Sequence, residues 1–316
     1  MRSLIRKALL SFLLSAAALI LLWYGICTHR IAANDVEFIR KHPSTEYLPG
    51  VLLLKGNLAY YVDLDPEAAE KYYREAVAQQ PLAIDAWMAL AKTLMAMGRE
   101  EEARNTLAVV APLISHVSTW KWQEFLLAYE MKDEEYFRTC LNFILSRLPH
   151  RVSEAFFMAS NYWGDWGAVL PQLSPENWTA FLQELIKQKQ VEVALTLWKL
   201  MAQNEYVPDK ALELRFCEFL MANGWVPDAK EVWKSWKGDA LPGMYDGGFE
   251  LDPLNTAFGW RLIHHPDVMV DRTLETPFEG AYCLNLHFVG TKNVVFRHVA
   301  QVVPVEPNRS YALKFA

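Results

Sequence analysis

The sequence predicts a mainly α-helical fold that begins with a transmembrane helix and ends with a partial antiparallel β-sandwich. Three observations predict this fold class: an uncharged apolar run near the N-terminus, a succession of short amphipathic helical segments from about residue 48 to 236, and apolar alternation after residue 249. They divide the 316 residues into four parts. These are a cytoplasmic tip with its transmembrane helix (1–30), a helical repeat domain (31–236), a linker (237–248) and an incomplete β domain (249–316).

The N-terminal apolar run comprises residues 8–27, ALLSFLLSAAALILLWYGIC, which carry no charged side chain. At about 1.5 Å per residue the run spans about 30 Å, the hydrocarbon thickness of a bilayer, and Trp23 and Tyr24 fall near its far interface. Three basic residues come immediately before it: Arg2, Arg6 and Lys7. Because basic flanks stay on the cytoplasmic side, we expect a single-pass protein of a bacterial inner membrane with most of its chain in the periplasm.

Two other interpretations of this segment remain open. A cleaved signal peptide normally has an apolar region of about 7 to 15 residues and a small-x-small cleavage site. Here the run is longer, and the nearest candidate site, Ile31-Ala32-Ala33, begins with a large residue. Lipid attachment at Cys27 would need a small residue directly before the cysteine, where Ile26 stands. A retained anchor therefore fits the residues best.

Composition disfavours two classes of function. A net charge of -6 offers no basic field, so nucleic-acid binding is not expected. The four cysteines lie far apart and form neither a disulfide framework nor a CxxC metal pair: Cys27, Cys140, Cys217 and Cys283. We expect them to be small buried apolar residues, and a Cys140–Cys217 pair stays open in an oxidising compartment.

The helical region contains a repeat with a period of 34 residues. Ala69, Tyr73 and Ala76 recur in position as a second set: Ala103, Leu107 and Val110. The second unit also carries the residues that a helix-turn-helix repeat needs at its signature positions: Trp87, Leu90, Ala91, Leu94 and Gly98. Over about 65 residues this pattern resembles the tetratricopeptide repeat. Further, degenerate helix pairs are expected at 119–147, 152–173, 176–204 and 208–236.

The repeat pattern has a simple physical basis. Small alanines let the two helices of a pair approach closely, large residues fill the space between pairs, and Gly98 permits the turn. Gly56 and Asn57 depart from the pattern by one residue, and Pro112 comes early in the second unit. Such repeats leave a concave surface, so the resemblance implies a protein partner bound through the helices.

No residue constellation in the chain predicts an enzyme. The motifs GxSxG, HExxH, GxxxxGK[ST] and a strand-linked GxGxxG are absent. The acidic runs Asp133–Glu135 and Glu100–Glu102 are expected to open helices, where negative charge suits the helix dipole. The tryptophans of the helical region are expected to be core residues, with Trp163 and Trp166 beside a turn and exposed.

After the glycine-rich segment KGDALPGMYDGGFE the helical period disappears and strands are expected. The candidate strands are 283–289, 294–305 and 310–316. In the last one we expect the side chains of Tyr311, Leu313 and Phe315 to be buried. The histidines here invite a metal-site interpretation: His264, His265 with Asp267, His287 and His298. A zinc site needs ligands that converge on one point, whereas His264 and His265, as neighbours on a strand, would point to opposite faces. A half-exposed polar face is therefore the favoured explanation for these histidines.

The β region carries a second resemblance. Gly247-Gly248-Phe249-Glu250, Phe258-Gly259-Trp260, Gly280 and the stretch 301–311 resemble the start of a galactose-binding-like jelly roll, an opening shared by bacterial carbohydrate-binding modules. The resemblance implies a structural calcium held by Glu250 and sugar-stacking roles for Trp260 and Tyr282. Such a sandwich needs roughly 130 to 150 residues, so we expect this copy to be truncated.

Together the parts resemble bacterial membrane-anchored repeat proteins of cell-envelope or exopolysaccharide assembly. The sequence therefore predicts a non-enzymatic scaffold whose repeats bind a partner protein. The alternative is a carbohydrate-binding adaptor that binds polysaccharide through its β module.

Overall fold

A computed structural model gives a mainly helical chain with short antiparallel strands in its C-terminal part. It describes the backbone of residues 2–42, 45, 48, 50–115, 117–237, 243–290 and 293–314, and their side chains except those of 2–10 and 236–237. Residues 238–242 of the predicted linker, Phe315 and the Trp236 side chain lie outside the described part. The chain forms two compact units, residues 1–162 and 163–316. The predicted domain boundaries stay a prediction.

The first unit consists of helices. In chain order they are α1 (Arg2–Ala32), α2 (Val36–Lys41), α3 (Val51–Tyr61), α4 (Pro66–Gln79), α5 (Ile84–Ala96), α6 (Glu100–Ile114), α7 (Ser118–Met131), α8 (Glu134–Arg147) and α9 (Val152–Trp163). α3 packs on α4, α5 on α6 and α7 on α8. Within α1, Ser11–Ala32 is long and apolar enough to cross a membrane, with a mean hydropathy of 1.9, although a signal sequence meets the same criteria.

The second unit contains helices followed by short strands. They are α10 (Trp166–Val169), α11 (Trp178–Lys187), α12 (Val191–Gln203), α13 (Lys210–Ala222), α14 (Val226–Lys237), β1 (Arg261–Leu262), β2 (Val268–Thr273), β3 (Cys283–Phe288) and β4 (Val299–Ala300). The predicted helix pairs at 119–147, 176–204 and 208–236 are confirmed. In 152–173 the second helix shrinks to the four residues of α10 and a 3-10 turn.

Aspartates set the start of several helices. Asp65, Asp133, Asp165 and Asp209 each accept a hydrogen bond from the backbone N–H three residues later. An N-cap oxygen of this kind satisfies one of the backbone donors that a helix leaves free at its first turn. The prediction that the acidic runs at Asp133–Glu135 and Glu100–Glu102 open helices is confirmed.

The predicted repeat residues form the core of the first unit. One apolar cluster joins α3, α4, α5 and α6 through residues that include Ala69, Tyr73, Leu90 and Ala103. A second cluster joins α5, α6 and α7 through Ala91, Leu107, Val110 and their neighbours. Each helix pair is therefore held by the next one, which is how stacked repeats gain stability.

Gly56 has a packing role that the sequence pattern did not reveal. A Cβ at this position would lie 2.6 Å from Cδ1 of Tyr73, whose side chain is buried. The Tyr73 hydroxyl donates a hydrogen bond of 2.9 Å to Oδ1 of Asn57. The departure of Gly56 and Asn57 from the repeat register is thus the feature that seats Tyr73 between α3 and α4.

A buried polar network joins α7 to α8. The Glu124 carboxylate, 1% exposed as a residue, accepts from the Tyr136 hydroxyl at 2.5 Å and from Nζ of Lys121 at 2.6 Å. Burial, followed by the hydrogen bond to Glu124, raises the pKa of Tyr136 well above its ordinary value. The tyrosine therefore stays a neutral donor at physiological pH.

In the second unit, the segment after residue 243 packs on α13 and α14. The buried Trp233 ring makes edge contacts with Tyr245 and Phe258, at centroid distances of 5.1 and 5.6 Å. The Glu218 carboxylate accepts from the backbone N–H of Ala257 at 2.6 Å and from Nη2 of Arg261 at 2.7 Å. These contacts tie the start of the β region to the last helix pair.

The strands of the β region lie in part at other positions than expected. β2 pairs with β3 from Val268↔Phe288 to Thr273↔Cys283, and β1 pairs with β4 through two residue pairs. The prediction for 283–289 is confirmed, but those for 294–305 and 310–316 are wrong over the described residues, apart from Val299–Ala300. A strand needs a partner backbone for its hydrogen bonds. Within 294–305, only Val299–Ala300 pairs with another described strand, Arg261–Leu262. Tyr311 and Leu313 are exposed rather than buried.

The pairing of the cysteines and the burial of the tryptophans were also predicted from the sequence. All four cysteines are free, and burial raises the pKa of Cys217 to about 12, which leaves its thiol unreactive at neutral pH. Of the tryptophans in the helical region, Trp178 and Trp233 are fully buried. The expected exposure of Trp163 and Trp166 is wrong, because both are half-buried. Seven tryptophans of the helical region share this intermediate burial: Trp87, Trp120, Trp122, Trp163, Trp166, Trp198 and Trp225.

Replacing Gly56 by alanine is expected to destabilise the first unit by about 1–3 kcal/mol, since the buried Tyr73 ring cannot move aside. The measurement is thermal and denaturant unfolding of the full chain in detergent. In a Tyr73→Leu background the same change should be neutral or stabilising, because alanine has the higher helix propensity. Equal costs in both backgrounds would contradict the role of the ring.

Replacing Glu124 by alanine is expected to cost about 3–5 kcal/mol, because it leaves a Lys121 ammonium and a Tyr136 hydroxyl without their buried partner. Glu154→Ala provides the matched control. It removes an exposed ion pair with Arg151 and should cost no more than about 1 kcal/mol. Similar unfolding free energies for the two variants would show that the Glu124 network contributes little.

Candidate partner-binding groove

The first helices of three successive pairs, α3, α5 and α7, form a groove on the first unit. Its volume is about 460 Å³. All of its lining residues come from these three helices: Leu53, Asn57, Tyr61, Asp85, Met88, Ala89, Lys92, Gln123, Leu126, Leu127 and Glu130. A surface assembled from equivalent faces of successive repeats is the arrangement that stacked helix pairs use for binding.

Helical spacing explains why these side chains share one surface. On α3 the lining residues Leu53, Asn57 and Tyr61 follow one another at intervals of four, so they lie along one stripe of the helix. Residues from other stripes of the same helix, such as Leu52 and Ala59, enter the core. The first helices thus use one stripe for packing and another for the groove.

Lys92 is the cationic centre of the groove. Its ammonium donates to the Tyr61 hydroxyl at 3.3 Å and lies 5.3 and 5.8 Å from the ring centroids of Tyr61 and Tyr60. Partial burial lowers the pKa of Lys92, but the hydrogen bond to Tyr61 and the charge of Glu130 outweigh it, so the pKa is raised overall. Lys92 therefore presents a fixed positive charge held by two aromatic rings.

The remaining lining is amphipathic. Leu53 and Leu126 provide apolar surface, while Asp85 and Glu130 provide carboxylates. The groove walls partly bury the Asp85 carboxyl and raise its pKa, although the residue as a whole stays accessible to solvent. Such a surface can bind a segment that offers apolar side chains together with an acidic group for Lys92.

In the β region, the Glu250 carboxylate is hydrogen-bonded to backbone groups. Its Oε1 accepts from the backbone N–H groups of Ala281 and Tyr282 at 3.0 and 3.2 Å. Gly280 lies against the same carboxylate with a φ of +75°, in a space that a Cβ would fill. The carboxylate thus ties the turn at Gly280 to the segment around residue 250, and the predicted calcium role stays a prediction.

The two predicted sugar-contacting rings each have one face covered. Trp260 stacks on Phe249 at 4.6 Å, and its indole N–H donates to the carbonyl of Asp246 at 2.8 Å. The Arg272 guanidinium lies 3.8 Å from the Tyr282 ring centroid. Both aromatic residues are half-buried. Their sugar-binding role stays a prediction.

The histidines of the β region were expected to belong to a half-exposed polar face rather than to a metal site. Among the described residues, no group of three or more His, Cys, Asp or Glu side chains is placed to share an ion. The rings of His265 and His298 make an edge contact at 4.7 Å, and His264 is exposed.

Part of the helical region that forms the groove is similar to a known repeat family. Residues 65–113 match the tetratricopeptide repeat family. The matched segment runs from the N-cap of α4 through α5 to the end of α6. No curated protein matches the chain. Tetratricopeptide repeats generally bind proteins and are not catalytic, so the match supports a protein-interaction scaffold.

Sequence reasoning located the tetratricopeptide repeats but missed the groove residues. Lys92, Gln123 and Glu130 lie at positions between the signature residues, where the repeat pattern imposes no residue type. The signal that could have found them is the polar stripe at intervals of three and four on each first helix.

Removing the Glu250 side chain by alanine is expected to destabilise the β region by about 1 kcal/mol, because two backbone N–H groups lose their acceptor. Glu250→Gln keeps an acceptor oxygen and should retain most of that stability in EGTA. Thermal unfolding with EGTA and with Ca²⁺ checks this. A Ca²⁺-dependent rise of the unfolding temperature that Glu250→Gln removes would instead support the structural calcium.

Proposed function

We propose that the protein is a non-enzymatic, membrane-anchored scaffold whose groove on α3, α5 and α7 binds a partner protein. The single observation that carries this proposal is the groove itself, in which equivalent stripes of three successive repeat helices form one amphipathic surface. The tetratricopeptide match over residues 65–113 supports the same function.

The cellular setting of the proposal follows from the N-terminal helix. Ser11–Ala32 is apolar enough to span a bilayer, and the basic residues before residue 8 favour a cytoplasmic N-terminus. The repeats would then lie on the opposite side, which is the periplasm in a bacterium. Envelope or exopolysaccharide assembly is the proposed process, on the resemblance of the whole chain to proteins of that kind.

The chemistry of the groove defines the segment that it would bind. Lys92 would pair with a carboxylate of the segment, and Asp85 and Glu130 would pair with its basic groups. Leu53 and Leu126 would pack on apolar side chains. An amphipathic helix or an extended peptide that carries charges of both signs and apolar residues meets these requirements.

The test is site-specific photocrosslinking of the full chain in its native membranes. A photoreactive residue at Gln123 in the groove is expected to capture one discrete partner, and one at Val109 on α6 is not. Lys92→Glu and Leu126→Arg should each reduce capture at least tenfold, because a lost charge pair and a lost apolar contact each weaken a desolvated interface.

Matched changes outside the groove control for nonspecific effects. Lys71→Glu on α4 and Val109→Arg on α6 are the corresponding charge reversal and apolar-to-basic change on exposed positions. Capture that falls equally in the groove variants and in these controls would contradict binding in the groove.

A carbohydrate-binding adaptor is the second candidate function. The half-buried Trp260 and Tyr282 rings, each with one face fixed by protein, favour it, since preorganised rings stack well on sugars. We expect polysaccharide retention on an affinity column to fall in Trp260→Ala if this function holds. Retention that is unchanged in Trp260→Ala and in Tyr282→Ala would exclude these rings.

A further inference from the structure

The N-terminal helix is longer than a bilayer is thick. α1 has 31 residues, which rise about 46 Å, whereas the hydrocarbon core of a bilayer is about 30 Å thick. About 16 Å of helix must therefore lie outside the hydrocarbon. Residues 2–7 account for about 9 Å at one end, and the residues after Cys27 account for the rest at the other end.

One face of the end of α1 is buried in protein. Cys27 is 0% exposed and Ile31 is 9% exposed, whereas Leu21 on the same helix is 70% exposed. Ile31 belongs to an apolar cluster with residues of α2 and α3: Ile39, Val51 and Leu54. Its Cγ2 also lies 3.2 Å from the position that a Cβ on Gly50 would occupy. The end of α1 thus packs together with α2 on α3, the first helix of the first pair.

The connection from α1 to α2 is fixed by specific contacts. Asn34 adopts a left-handed φ of 54°, which turns the chain. The Asp35 carboxylate accepts from the Phe38 N–H at 3.0 Å and pairs with Arg30 at 2.9 Å. One side chain therefore caps α2 and holds it to α1.

The contacts of α2 indicate how deep it lies relative to a bilayer. The Trp23 ring lies 5.3 Å from the His42 ring and 6.0 Å from the Phe38 ring. A tryptophan at the end of an apolar run prefers the headgroup region. Since α2 contacts Trp23, it lies at the same depth, and its outer side chains Arg40 and Lys41 are exposed and charged.

We propose that the end of α1 together with α2 caps the first helix pair and seats it on the headgroup layer of the bilayer. The anchor is then a retained structural element, because cleavage near Ala33 would uncover the cluster around Ile39 and Val51. The proposal rests on the membrane anchoring proposed above. Stacked repeats need such a cap at an open end. Because α3 contributes both Leu54 to this cluster and Leu53 to the groove, the cap also holds the groove close to the membrane.

The test compares two apolar truncations on α1 in the full chain reconstituted in nanodiscs. Ile31→Ala removes a contact of the cap, and Leu21→Ala removes a similar volume from an outward-facing position. Hydrogen exchange of the α3 amides should accelerate roughly tenfold or more in Ile31→Ala and stay unchanged in Leu21→Ala. Equal exchange in the two variants would overturn the cap.

The depth of α2 is measured with a spin label at Lys41→Cys, in a Cys283→Ser background because the other cysteines are buried. The accessibility of this label to oxygen and to a water-soluble relaxant is expected to place it at the headgroups. A label at Glu101→Cys on α6 is expected to report an aqueous environment. A fully aqueous signal at position 41 would overturn the seating. Release of the chain by alkaline carbonate would contradict the membrane anchoring itself, whereas an integral protein that fails either test contradicts the cap or the seating alone.

Discussion

The close approach of α3 and α4 is the constraint on which the first unit depends. Gly56 leaves room for the Tyr73 ring, and the ring joins the apolar cluster that continues through Leu90 to Ala103 in the next pair. Because each pair packs on its neighbour through these residues, the first helices keep a common orientation. This common orientation brings the lining stripes of α3, α5 and α7 to one side, where they form the groove.

α3 links the proposed membrane anchor to the proposed binding groove. One of its stripes packs against the end of α1, a second against α4, and a third lines the groove with Leu53, Asn57 and Tyr61. A helix has room for three such roles because its side chains project all around the axis. The consequence is a groove whose position is fixed by packing rather than by a flexible linker.

The second unit is organised by polar contacts to backbone groups. Glu218 binds the N–H of Ala257 and the Arg261 guanidinium, and Glu250 binds two N–H groups beside Gly280. In a region with two short two-stranded sheets, such side chains supply acceptors that a larger sheet would supply by its own ladder. The aromatic contacts of Trp233 then attach the region to the last helix pair.

The sequence alone determined the features that depend on local pattern: the apolar helix, the 34-residue repeat, the helix starts at acidic residues and the strand at 283–288. Those features follow from periodicity and capping, which are written in neighbouring residues. Only the tertiary structure decided the rest. The expected strands over 294–305 depend on a partner backbone, the groove residues become a site only when three helices align, and the burial of Cys27 and Ile31 depends on α2 and α3. Each of these is a long-range contact, and no local pattern specifies which distant residues will meet.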